Sequence, residues 1–70
     1  MGEAMTVTVN GEARIFSTAT TVAALLAAIG LDVRKVAVER NEEIVPRSLY
    51  AATALAQGDA LEIVHFIGGG

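Results

Sequence analysis

The chain closes on EIVHFIGGG, where three consecutive glycines, Gly68, Gly69 and Gly70, follow directly on an apolar run. With glycine at about 7% of ordinary residues, such a run at a set position arises by chance roughly three times in ten thousand. Glycine has no Cβ, so a run of it passes through a channel too narrow for any other residue. Fully extended, Ile67 to Gly70 reach about 13–14 Å. The chemistry such an arm can offer is that of the α-carboxylate of Gly70, carried away from the domain and into another protein's site.

The other reactive residue types assemble no site. His65 is the lone histidine, and the absence of cysteine excludes disulfides, thiolate catalysis and cysteine-based metal centres. No set of metal ligands can be gathered around His65 at suitable spacing. It alternates with Leu61, Ile63 and Ile67, which places it at the rim of a core face. Glu42 and Glu43 are adjacent in a turn, so they point apart and read as a solvated acidic turn, not a general acid/base pair. Neither GDALE nor IGGG carries phosphate-binding spacing, and no helix follows the glycines. No catalytic residue, metal site or bound cofactor is expected. MGEAMT fits the N-myristoylation pattern at Gly2 and Thr6, but two fixed positions carry little information. Residues 1–4 read instead as a short extension ahead of a strand.

Composition narrows the partners. Seventy residues suit one domain, and 53% hydrophobic content is enough for a modest core. The net charge is −3, with five bases scattered against eight acids. No basic stripe is present, which argues against nucleic acid and toward a partner with a basic surface. No apolar run approaches the roughly 20 residues of a membrane span, and no signal peptide opens the chain. A cytoplasmic location is expected.

The elements that must position the arm can be read from periodicity. MTVTV alternates Met5, Val7 and Val9 with threonines, and EARIF follows as a second strand after Asn10-Gly11. A two-residue turn there would pair Val9 with Glu12 and set Arg14 on the face of Val7. A three-residue loop with a Gly11 bulge pairs Val9 with Ala13 and Val7 with Ile15, which buries one coherent face; this is the expected register. STATTVAALLAAIGL is the one clear helix, capped by Thr20 or Thr21 and ended at Gly30, with Val22, Leu25, Leu26 and Ile29 as its apolar stripe. KVAVER forms a third strand with Val36 and Val38 facing one way. Asn41–Glu43 turn into a short strand at Ile44 and Val45, which Pro46 ends. RSLYAATALAQGD is an irregular segment with a helical turn, pinned by Leu49 and Leu55. Gly58-Asp59 makes the last turn before ALEIVHF.

This order gives an α+β domain over residues 1–66: a mixed sheet of about five strands, one main helix on one face, and the other face open. Residues 67–70 form a flexible C-terminal tail. If Leu61 and Ile63 face the helix, Val64 and Phe66 face the open side, and the expected register sets Arg14 and Phe16 beside them. Exposed aromatic and aliphatic groups on a small acidic protein form a candidate docking surface.

A small α+β domain whose last strand runs into a diglycine resembles the ubiquitin-like β-grasp superfamily. Within it, VERNEEIVPR followed by GDALEIVHFIGGG resembles the ThiS family of thiamine-biosynthesis sulfur carriers, over nearly the whole chain from Met5 onward. The MoaD family of molybdopterin synthesis is the nearest rival, although its members have prolines just before the diglycine. A ubiquitin-like protein modifier is more distant. The resemblance implies a carrier, not an enzyme. A ThiF-like adenylyltransferase would use ATP to adenylate Gly70, and a persulfide donor would convert it to a thiocarboxylate. A ThiG-like thiazole synthase would then receive the sulfur. Gly69 and Gly70 correspond to the family motif, and Gly68 adds reach.

Overall fold

The computed structural model describes residues 3–66. Five strands, β1 (Ala4–Val9), β2 (Glu12–Ser17), β3 (Val36–Arg40), β4 (Glu43–Val45) and β5 (Ala60–His65), surround one helix in the chain order, α1 (Val22–Ala28). Short 3₁₀ turns cover Val33–Lys35 and Arg47–Leu49. The strands form one sheet in the order β2-β1-β5-β3-β4. β1 and β5 are parallel at its centre and the other pairs are antiparallel. This is the ubiquitin-like β-grasp arrangement, with the strand that leads to the glycines held between two neighbours.

Local signals fix the helix at both ends. Thr21 Oγ1 accepts the Ala24 amide at 3.1 Å, satisfying one of the first-turn donors that have no intrahelical partner. At the other end Gly30 takes φ +80°, the Leu31 amide donates to Leu26 O, and the Gly30 amide donates to Ala27 O. This pattern of two backward bonds around a left-handed glycine closes the helix. Between these ends Val22, Leu25 and Leu26 are buried, and Ile29 packs against the core edge. They meet Met5, Val7, Val9, Val36, Val38, Leu61 and Ile63 from the sheet. Each fully buried leucine contributes about 1.5–3 kcal/mol relative to exposure.

Two sequence expectations fail. The β1–β2 register is that of the two-residue turn, with Val9 opposite Glu12, Val7 opposite Arg14 and Met5 opposite Phe16. Asn10 and Gly11 both have positive φ, 52° and 82°, the geometry whose twist matches that of the flanking strands. The sheet accepts the register because β2 is an edge strand. Phe16 packs partly against the core while Arg14 stays largely in solvent and Ile15 faces outward, 72% exposed. The irregular segment is pinned by Tyr50 and Leu55, not by Leu49, which is exposed. Tyr50 suits the buried place because its hydroxyl donates to Val36 O at 3.4 Å while its ring fills the core.

The buried polar centre lies at the start of β5. The Asp59 carboxylate accepts from Asn41 Nδ2 at 3.0 Å and from the Ala56 amide at 2.8 Å. Arg40 Nε lies 3.0 Å from Asp59 Oδ2, a close ion contact off the hydrogen-bond line. Burial alone would raise the Asp59 carboxyl, but the Asn41 amide, the Ala56 amide and the Arg40 guanidinium together hold it below its ordinary value.

Candidate functional site

The site is built around the last strand and its two sides. On the helix side β5 contributes Leu61 and Ile63 to the core, and on the other side Glu62 and Val64 are exposed. Val64 is 61% exposed and Phe66 56%, as the alternation predicts for the open face. Val64 sits directly opposite Ala37 of β3, and the Phe66 amide donates to Lys35 O, so pairing with the β3 side continues to the last described residue. Gly68, Gly69 and Gly70 lie outside the described residues.

On the β1 side pairing ends sooner, and a side chain extends it. β1 pairs with β5 only at Thr8–Ala60 and Val9–Leu61. Beyond that, Asn10 Oδ1 accepts the Ile63 amide at 2.7 Å and Asn10 Nδ2 donates to Ile63 O at 3.2 Å. One carboxamide thus serves as the next residue of the missing strand. The point from which the chain runs to the glycines is thereby held on both edges.

Register decides which of the expected docking residues lie together. Arg14 and Phe16 sit opposite Val7 and Met5, so both are on the helix side and leave the open face. Arg14 instead lines a cleft of about 500 Å³ with Glu12, Ile29, Leu31 and His65. His65 is exposed and sits opposite Val36, at the rim of the core face as expected. Two residues not anticipated for the open face are Ile15 and Ile44, 72% and 73% exposed. Ile44 lies two strands from β5, opposite Glu39 of β3. Ile15 lies six residues back from Val64 along the strand direction, roughly 20 Å, and is not part of the same patch. The Asn10-Gly11 pair was the signal for this register, because a type I′ turn sends Ile15 outward.

Among the described residues no cluster of three or more histidine or acidic side chains could hold a metal ion. No helix among the described residues is long and apolar enough to cross a membrane. The chemistry that the arrangement can serve is presentation: a stable sheet, a strand held at its exit, and an apolar surface beside it.

Comparison with known proteins agrees with this architecture. A segment of a thiazole synthase from Paramagnetospirillum magneticum is 62% identical over 66 residues, 94% of this chain and 20% of that protein. A thiazole synthase from Magnetococcus marinus is 46% identical over 66 residues, again 20% of its length. The chain therefore spans about a fifth of the length of these two relatives. The sulfur carrier protein ThiS of Bacillus subtilis is 46% identical over 50 residues, 71% of this chain and 76% of that one. Among solved structures, the crystal structure of a thiamine biosynthesis protein (ThiS) from Geobacter metallireducens superposes with a TM-score of 0.77 at 38% identity, covering 94% of this chain and all of that one. The ThiS family model matches residues 2–70, the full length of the described fold, and the chain belongs to the ThiS family.

Proposed function

We propose that this chain is a sulfur carrier in the synthesis of the thiamine thiazole, acting as a co-substrate and not as a catalyst. The observation that carries the reading is the match of residues 2–70 to the ThiS family, on a sheet whose last strand leads to three glycines. A carboxylate is a poor electrophile and must be activated. A carboxylate oxygen of Gly70 attacks the α-phosphate of ATP in a ThiF-like adenylyltransferase, and pyrophosphate leaves. The terminal sulfur of a persulfide then attacks the carbonyl carbon and AMP departs. A thiol cleaves the resulting sulfur–sulfur bond, leaving a thiocarboxylate on Gly70 and a disulfide on the donor side.

Gly68 and Gly69 supply reach and narrowness, which lets the carboxylate enter a site while the sheet stays outside. The receiving enzyme is a ThiG-like thiazole synthase. In support, a segment similar to this chain makes up a fifth of two proteins named thiazole synthase. The setting is the cytoplasm, where ATP and persulfide donors are available.

Incubation with ATP, a sulfur source and the adenylating enzyme of the same organism should raise the intact mass by one oxygen-to-sulfur exchange. An unchanged mass with a demonstrably active enzyme would overturn the proposal. A deletion strain should need thiamine and keep its molybdenum-enzyme activity.

A further inference from the structure

Register places two carboxylates side by side on the open face. Glu39 of β3 lies directly opposite Glu62 of β5, and on its other side directly opposite Ile44 of β4. Followed through every pairing, the open-face positions of the five strands carry two ionisable side chains, Glu39 and Glu62, and neither lysine nor arginine. Like charges directly opposite on one sheet face destabilise the pairing. Arg40 lies against Asp59, Arg34 against Asp32 and Arg14 against Glu12, so none of these three neutralises the pair. The molecule thus holds a local conflict in the middle of an otherwise consistent sheet, and such conflicts concentrate where function requires them.

The surroundings of the pair specify what resolves it. Ile44 flanks Glu39, Val64 follows Glu62 on the same face of β5, and Phe66 lies just beyond; all three are exposed. An apolar surface closing on these three would remove both carboxylates from water, at a large cost unless a cation comes with it. A planar guanidinium meets two neighbouring carboxylates with paired hydrogen bonds, which a compact ammonium cannot do as well. We propose that the face formed by β3, β4 and β5 docks a partner that places an arginine on the Glu39–Glu62 pair, inside a ring of contacts to Ile44, Val64 and Phe66. The pair then acts as a filter, since an apolar surface without a cation is rejected. A second copy of this chain does not fit. A twofold contact through this face would bring four carboxylates together, and the base nearest in register, Lys35 opposite Phe66, stands about 13 Å along the strand from Glu39.

The identity of the partner rests on the carrier reading, and the adenylating enzyme of the same organism is the probe. Binding is measured by calorimetry at two salt concentrations for the wild type, for Glu39→Gln/Glu62→Gln, and for Glu3→Gln at the far end of the sheet. The double variant should weaken binding on the order of tenfold at low salt, with a smaller difference at high salt. Glu3→Gln should change it less than about twofold, the effect of net charge alone. The melting temperature of the double variant should equal or exceed that of the wild type, which separates lost docking from lost folding. A double variant that binds as well as Glu3→Gln overturns the inference, as does a wild type that does not bind. So does a wild-type dimer in sedimentation that tightens when both charges are removed. A wild type that binds but gains no sulfur overturns the carrier reading alone, and the affinities still decide the docking.

Discussion

The β1–β2 turn and the β3–β4 turn each place an asparagine at φ 52° in the first turn position, and each directs that asparagine's amide onto β5. Asn10 meets the late part of the strand, bonding both the amide and the carbonyl of Ile63. Asn41 meets its beginning, accepting the Ala60 amide at 2.9 Å and donating to the Asp59 carboxylate. The surroundings differ. Asn10 makes a neutral contact to backbone alone and is followed by Gly11. Asn41 belongs to a charged group with the buried Asp59 and the partly exposed Arg40, and is followed by Glu42 at φ 71°. The first turn is cheap in strain and simply prolongs the sheet. The second accepts a left-handed residue with a side chain in exchange for closing a buried ionic centre. β5 is therefore anchored firmly where it starts and more lightly where it leads to the glycines.

That contrast can be broken from the strong end first. Asp59→Ala leaves Arg40, whose side chain is a third exposed, without its counter-charge and removes the acceptor of Asn41 and Ala56, and should cost about 2 kcal/mol in denaturant unfolding. The same centre contributes to stability against acid. The Asp59 carboxyl titrates below its ordinary value in the folded chain, so its contribution is complete above the unfolded carboxylate pKa of about 3.9. It is lost as pH falls through the lower folded value. Unfolding free energy followed from pH 6 to pH 2 should thus drop more steeply for the wild type than for Asp59→Ala.

The lighter anchor should respond less and more locally. Asn10→Gly keeps the turn conformation but removes both bonds to Ile63, at a cost of about 1–2 kcal/mol. Amide exchange should quicken first at Ile63, while Ala60 keeps its protection; uniform acceleration along β5 would mean that the turn is not a local anchor. The smallest effect has the opposite sign. Glu42→Gly relieves the left-handed strain and should raise stability by up to about 1 kcal/mol in thermal unfolding, whereas a comparable loss would show that Glu42 makes a contact worth more than its strain.

Much of the fold was legible because its signals are short-range. The threonine cap, the glycine after α1 and the alternation in β3 and β5 each act within a few residues, and the structure keeps all of them. The β1–β2 register was misread because an apolar pattern alone does not choose between registers, and the paired positive φ of Asn10 and Gly11 does. The expected place of Leu49 failed for a similar reason: its neighbour Tyr50 is equally apolar in bulk, and only the position of Val36 O gives the tyrosine hydroxyl a partner. For the exposed apolar face, Val64 and Phe66 followed from alternation within one strand. Ile44 and the departure of Arg14 and Phe16 depended on pairings between strands.

By itself the sequence determined the mixed sheet with one helix and the glycine run toward which β5 leads, because composition and periodicity act on each segment independently; the family was carried by the resemblance of its motifs. Tertiary structure alone decided the burial of Asp59 against Arg40 and Asn41, and the meeting of Glu39 with Glu62. These depend on strand order and register, and residues some 20 to 50 positions apart become neighbours only when the sheet closes.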